Sequence, residues 1–96
     1  MSGVPPMPSA IAELVPHDAG KNHFWGWTGL DGRGGDLFWA HRCPNRWDGW
    51  GLGQLDVTSG NRHALASADP LTVLGSVLCT DCLDHGWFRD GRWVPA

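Results

Sequence analysis

Along most of this chain apolar residues fall in short, aromatic-rich runs broken by glycine, the pattern of brief β-strands rather than of long helices. HFWGWT (23–28) and DLFWAHR (36–42) are two such runs, separated by the glycine-rich TGLDGRGG. That spacing predicts a hairpin with a wide loop. By the two-residue period of a strand, Leu37, Trp39 and His41 share one face, and Cys43 continues it. WGLGQLDVT (50–58) and RHALA (62–66) flank Ser59-Gly60-Asn61, which predicts a second hairpin turning there.

After Asp69 the pattern is ambiguous. Asp69-Pro70 suits a helix start, and Leu71, Leu74 and Leu78 have helical spacing, yet TVLGSVLC is β-branched and broken by Gly75. The extended reading is preferred. WFR-DG-RWV carries the strongest hairpin signal, because Asp-Gly suits the tight type I′ turn between twisted strands. It predicts Phe88 opposite Trp93 as an aromatic cross-strand pair. The fold class expected from this pattern is small all-β, built of two or three β-hairpins.

The first residues differ from the rest. MSGVPPMPSAIAELVP combines prolines that favour extended backbone with SAIAEL, one helical turn that Ser9 would cap and Pro16 would stop. Residues 1–20 are read as a Pro-rich arm and 21–96 as a single domain. The arm either frays, docks on the domain's own aromatics, or grips a neighbouring subunit.

Composition sharpens this picture in three ways. Seven tryptophans and no tyrosine in 96 residues supply a dense core for so short a chain, with any exposed indole marking a binding surface. Net charge is −3, and the arginines are interleaved with aspartates, which argues against nucleic acid as a partner because no basic field is present to displace counterions. No apolar stretch is long enough to span a membrane, so no membrane insertion is expected. The N-terminus lacks the charged and apolar regions of a signal peptide, and an intracellular protein is expected. Three cysteines, an odd number, then favour a metal or free thiols over a disulfide framework.

Cys79-Thr80-Asp81-Cys82 is the spacing by which one tight turn points two sulfurs at a common centre, and His85 follows. Structural zinc takes four such ligands in a tetrahedron, so a distant segment must supply the rest. Cys43, opening a Cys-Pro turn, is the other thiolate. The predicted zinc ligands are Cys43, Cys79, Cys82 and His85, with His41 as the alternate fourth ligand and His63 a more remote one. Trp47 and Trp50 are placed near the metal as hydrophobic shelter, and Trp47, Trp50, Trp87, Arg89 and Arg92 are the candidate binding surface. His17 and His23 are read as solvent-facing. Gly32, Gly34 and Gly35 are read as turn residues, since no GK[ST] follows. Asp31 and Asp36 lack EF-hand spacing.

From His41 onward, HRCP, DPLTVLGSVLC, C-x2-H-G and RDGRW succeed one another in an order that resembles an uncharacterised family of small zinc-ribbon-like proteins frequent in bacteriophage and prophage genomes. The similarity covers about the last 55 residues and is densest in CLDHGWFRDGRWV. By position it puts Cys43, Cys82 and His85 on the family's ligands, with Cys79 completing the set. Asn45-Arg46 stand where that family tends to show a further cysteine, which keeps His41 in contention.

The resemblance implies a phage setting, cytoplasmic in a bacterial host or virion-associated, but no reaction. Three functions follow: a non-catalytic zinc-stabilised module binding a host or phage protein; a virion or assembly accessory using the arm; and a zinc hydrolase or deaminase-like enzyme. The last needs an open metal position and a general base. The sole glutamate, Glu13, lies in the arm, so the deaminase signature is missing.

Overall fold

The structure, a computed structural model, describes residues 6–29, 35–57 and 63–96. Among the described residues nine short strands and one helical turn follow one another: α1 (Ser9–Ala12), β1 (His17–Gly20), β2 (His23–Trp27), β3 (Leu37–Arg42), β4 (Trp50–Leu55), β5 (Ala64–Ala68), β6 (Leu71–Leu74), β7 (Val77–Leu78), β8 (His85–Arg89) and β9 (Arg92–Pro95). They form an antiparallel four-stranded sheet β1-β2-β3-β4, a β5-β6 pair and a three-stranded sheet β7-β8-β9. The small all-β class read from the sequence is what the chain adopts.

Local chemistry sets two of the turns. Lys21 and Asn22 between β1 and β2, and Asp90 and Gly91 between β8 and β9, all have φ of +51° to +75°. These are the left-handed pairs that let a two-residue turn match strand twist. As the Asp-Gly pattern predicts, Phe88 stands opposite Trp93, and their rings meet edge to face at 5.1 Å.

β3 is buried from Leu37 through His41 because both faces of its sheet are covered. On one side Trp25, Leu37, Trp39 and Leu55 pack with Leu71 and Val73 of β6 and with Val77, Phe88 and Trp93 of the three-stranded sheet. On the other, Phe38, Ala40 and Trp50 are closed over by Ile11, with Met7, Leu14 and Phe24 at the margin. The arm therefore docks on the domain's own aromatics over residues 7–14, and residues 17–20 form β1. Pro8, not Ser9, takes the N-cap: its backbone is extended, its carbonyl accepts from Ile11 and Ala12 at 3.0 and 2.9 Å, and no side chain caps the turn.

The second hairpin is not as predicted. β4 pairs along its whole length with β3, Arg42 opposite Trp50 through Leu37 opposite Leu55, while β5 pairs with β6. The Cys-Pro turn after β3 reverses the chain at once, so β4 returns along the β3 edge before residues 59–61 are reached. The predicted turn at 59–61 itself lies outside the described residues. The stretch after Asp69 is extended, as β6 and β7.

Candidate metal centre

Two tight turns build the site. In the first, Cys43 N–H donates to the Gly49 carbonyl (2.8 Å), Arg46 N–H to the Cys43 carbonyl (3.1 Å), and Gly49 N–H to the Arg46 carbonyl (3.0 Å). In the second, Cys79 N–H donates to the Asp84 carbonyl and Leu83 N–H to the Cys79 carbonyl, both at 2.8 Å. Leu83 has φ +66°, the left-handed step that closes the turn. Side chains then join one turn to the other: Asn45 Nδ2 donates to the Asp81 carbonyl, and Arg46 pairs with the Asp81 carboxylate at 3.3 Å.

Between the turns, one ligand atom each from His41, Cys43, Cys79 and Cys82 lies within 4.8 Å of all the others. Cys43 Sγ and Cys79 Sγ are 3.9 Å apart, and Cys82 Sγ is 3.6 Å from His41 Nε2. A tetrahedron with metal–sulfur bonds of about 2.3 Å and a metal–nitrogen bond of about 2.0–2.1 Å has edges of roughly 3.8 and 3.6 Å. The two measured edges fit that figure, so the four residues can hold one metal ion.

Of the sequence-predicted ligands, the three cysteines come together and His41 joins them. His85, the first choice for the fourth ligand, does not. It begins β8 opposite Leu78 with its side chain exposed, because the extended backbone after Leu83 turns it to the outer face. His63 is also elsewhere, its Nε2 at 2.7 Å from the Ser76 carbonyl. Trp50 is 5% exposed and packs against Phe24 in the cluster under the arm, so it is neither binding surface nor shelter for the metal. Trp47 is 94% exposed and shelters nothing. Trp87 is half-buried, and Arg89 and Arg92 are exposed.

Each ligand is prepared differently. His41 is 2% exposed and stacked on Trp39 at 4.4 Å. Burial lowers its pKa against a raising influence from Asp84, which favours the neutral ring that a metal needs. Gly51 lies opposite it in the sheet, and a Cβ there would fall 2.5 Å from His41 Cε1. For Cys79, burial raises the thiol pKa. Backbone N–H groups of Cys82 and Asp81 facing its sulfur, with the Cys82 and Cys43 side chains, outweigh that and lower it. Cys82 goes the other way, pushed up to about 12 by burial and by its two sulfur neighbours, although the Asp84 backbone works to lower it.

One participant was missed by the sequence reading. His23, read as solvent-facing, is buried: its Nε2 pairs with the Asp84 carboxylate and its Nδ1 faces the Lys21 carbonyl at 2.7 Å. Its ring stacks on Trp93 at 4.0 Å and lies 5.7 Å from that of His41. The pair ties β2 to the turn that carries Cys79 and Cys82. Nothing local signals a contact across 61 positions; only the packing of the two sheets creates it.

Among the described residues no helix is long and apolar enough to cross a membrane. Comparison of the chain with protein-family models, with curated proteins and with solved structures finds no match.

Proposed function

We propose that this protein is a non-catalytic binding module whose fold is stapled by zinc at His41, Cys43, Cys79 and Cys82, and which presents side chains on the metal-held turns to a protein partner. Zinc is the reading that three thiolates and one imidazole at near-tetrahedral spacing suit best. When bound, it supplies a cross-link between the two halves of the chain. Four protein donors complete a tetrahedron, whereas hydrolytic chemistry wants a position left for water. This supports a structural role over the enzyme reading.

The observation that carries the binding role is Trp47. An indole left 94% exposed, on a turn pinned by hydrogen bonds at both ends, is costly in water and pre-organised for contact. Leu83, 73% exposed, occupies the facing turn. Docking of Ile11, Met7 and Leu14 on the chain's own sheet favours this reading over subunit assembly through the arm. The phage setting, with a host or phage protein as partner, rests on the resemblance of the last 55 residues.

Affinity capture from a bacterial lysate with the zinc-loaded protein and with Trp47→Ala tests the proposal. The expected result is a protein retained by the parent and lost by the variant, whose melting curve stays unchanged. Identical captures from both would refute the role of this surface.

A further inference from the structure

The outer face of the β7-β8-β9 sheet bears a second feature. Strand alternation sends Val77, Gly86, Phe88 and Trp93 inward. It leaves Leu78, His85, Trp87, Arg89, Arg92 and Val94 outward, ordered by the register into three cross-strand pairs: Leu78 with His85, Trp87 with Val94, Arg89 with Arg92. One half of the face is thus largely apolar, and the half beside the tight turn carries two guanidiniums.

That last pair is unusual. Like charges placed directly opposite across strands repel and weaken the sheet, and among the described residues neither arginine forms an ion pair with a carboxylate. Asp90 in the turn and Asp18 of β1 line a hollow beside Arg92 without forming an ion pair with it. Arg89 is held over the Trp87 ring, 5.0 Å from its centroid, so the guanidinium is fixed beside the indole. The face itself carries two guanidiniums and no carboxylate, on a chain whose net charge is −3.

From this juxtaposition we infer that the face binds an acidic peptide segment of a partner protein, with aliphatic side chains on Leu78, Trp87 and Val94 and carboxylates on Arg89 and Arg92. Arginine forks match carboxylates with paired hydrogen bonds, and a carboxylate between them relieves the repulsion of the pair. Nucleic acid fits less well. Two arginines at one end cannot follow a phosphate backbone, and Arg89 occupies the indole that a base would need for stacking. The inference rests on the binding-module reading and adds to the Trp47 turn a second surface, with one class of partner segment.

The test uses the zinc-loaded protein and a dye-labelled peptide, leucine-rich in one half and glutamate-rich in the other, followed by fluorescence anisotropy. Controls are the same peptide with glutamine for glutamate and an oligothymidylate of equal charge. The glutamate peptide is expected to bind more tightly than either, and the Arg89→Gln/Arg92→Gln double variant to weaken it by about tenfold or more. Peptide anisotropy reads the β7-β8-β9 face and lysate capture reads the Trp47 turn, so failure here is separable from failure there. Arg89→Glu/Arg92→Glu should instead prefer a lysine–leucine peptide, which guards against loss through misfolding. No binding, equal binding of the glutamine peptide, retention by the glutamine double variant, or preference for the oligothymidylate would each overturn the inference.

Discussion

Gly51 shows how closely single residues hold this site. It lies opposite His41 in the β3–β4 ladder, and the imidazole occupies the space a side chain would need. Gly51→Ala should therefore displace the ring rather than merely crowd the sheet. We expect metal affinity to fall by about 10–100-fold, as when the support of a ligating histidine is lost. Competition with a chromogenic chelator measures this, and an unchanged affinity would mean that His41 is not a ligand. His85→Ala, by contrast, should leave affinity unchanged, since His85 lies on the outer face.

Protonation acts at the same scale. The His41 pKa is lowered from its ordinary 6.5 chiefly by burial. A histidine kept neutral by folding contributes its stability in full above the unfolded value and loses it as pH falls through the lowered folded value. Stability should hold from neutrality to about 6.5 and decline below, with metal release following. Melting curves at constant ionic strength across that range check it, and a flat profile would be inconsistent with a buried neutral His41. The three cysteines were legible from spacing because a C-x2-C turn and a Cys-Pro turn are local devices. The fourth ligand was not, because choosing His41 over His85 depends on which sheet face each strand turns inward.

At the scale of elements, hairpins whose turn or spacing carries a strong local signal were readable, whereas the β3–β4 and β5–β6 pairs, although their strands are neighbours in sequence, were not. Asp90-Gly91 specifies its own hairpin, and HFWGWT and DLFWAHR find each other as β2 and β3. β4 was misplaced because the composition of residues 43–49 does not show that this turn reverses the chain at once and lays Trp50–Leu55 along β3. The arm belongs here as well, since its docking depends on an apolar sheet face that no local pattern shows. Ile11 is its main anchor, buried against Phe38, Ala40 and Trp50. Ile11→Ala should cost about 2–5 kcal/mol of stability in the zinc-loaded protein, the usual effect of emptying a core aliphatic site. Urea unfolding measures it. A loss well below about 1 kcal/mol would mean that the arm contributes little in solution.

For the whole molecule, the candidate metal site lies where the four-stranded and the three-stranded sheets meet. His41 and Cys43 come from the end of β3, Cys79 and Cys82 from the turn between β7 and β8, and the His23–Asp84 pair runs alongside. Native domains have a net stability of only about 5–15 kcal/mol, and structural zinc contributes an apparent value of about 10–16 kcal/mol at neutral pH. Zinc held there would supply as much as the whole net stability of the fold, and chelation of the zinc-loaded protein should then unfold the chain rather than loosen one corner. X-ray absorption at the zinc edge, on protein purified with stoichiometric zinc, addresses the ligand set itself. The account predicts three sulfur scatterers at about 2.3 Å and one nitrogen at about 2.0–2.1 Å, with the nitrogen shell lost in His41→Ala and retained in His85→Ala. Failure to retain stoichiometric zinc, or a shell with fewer than three sulfurs, would contradict it.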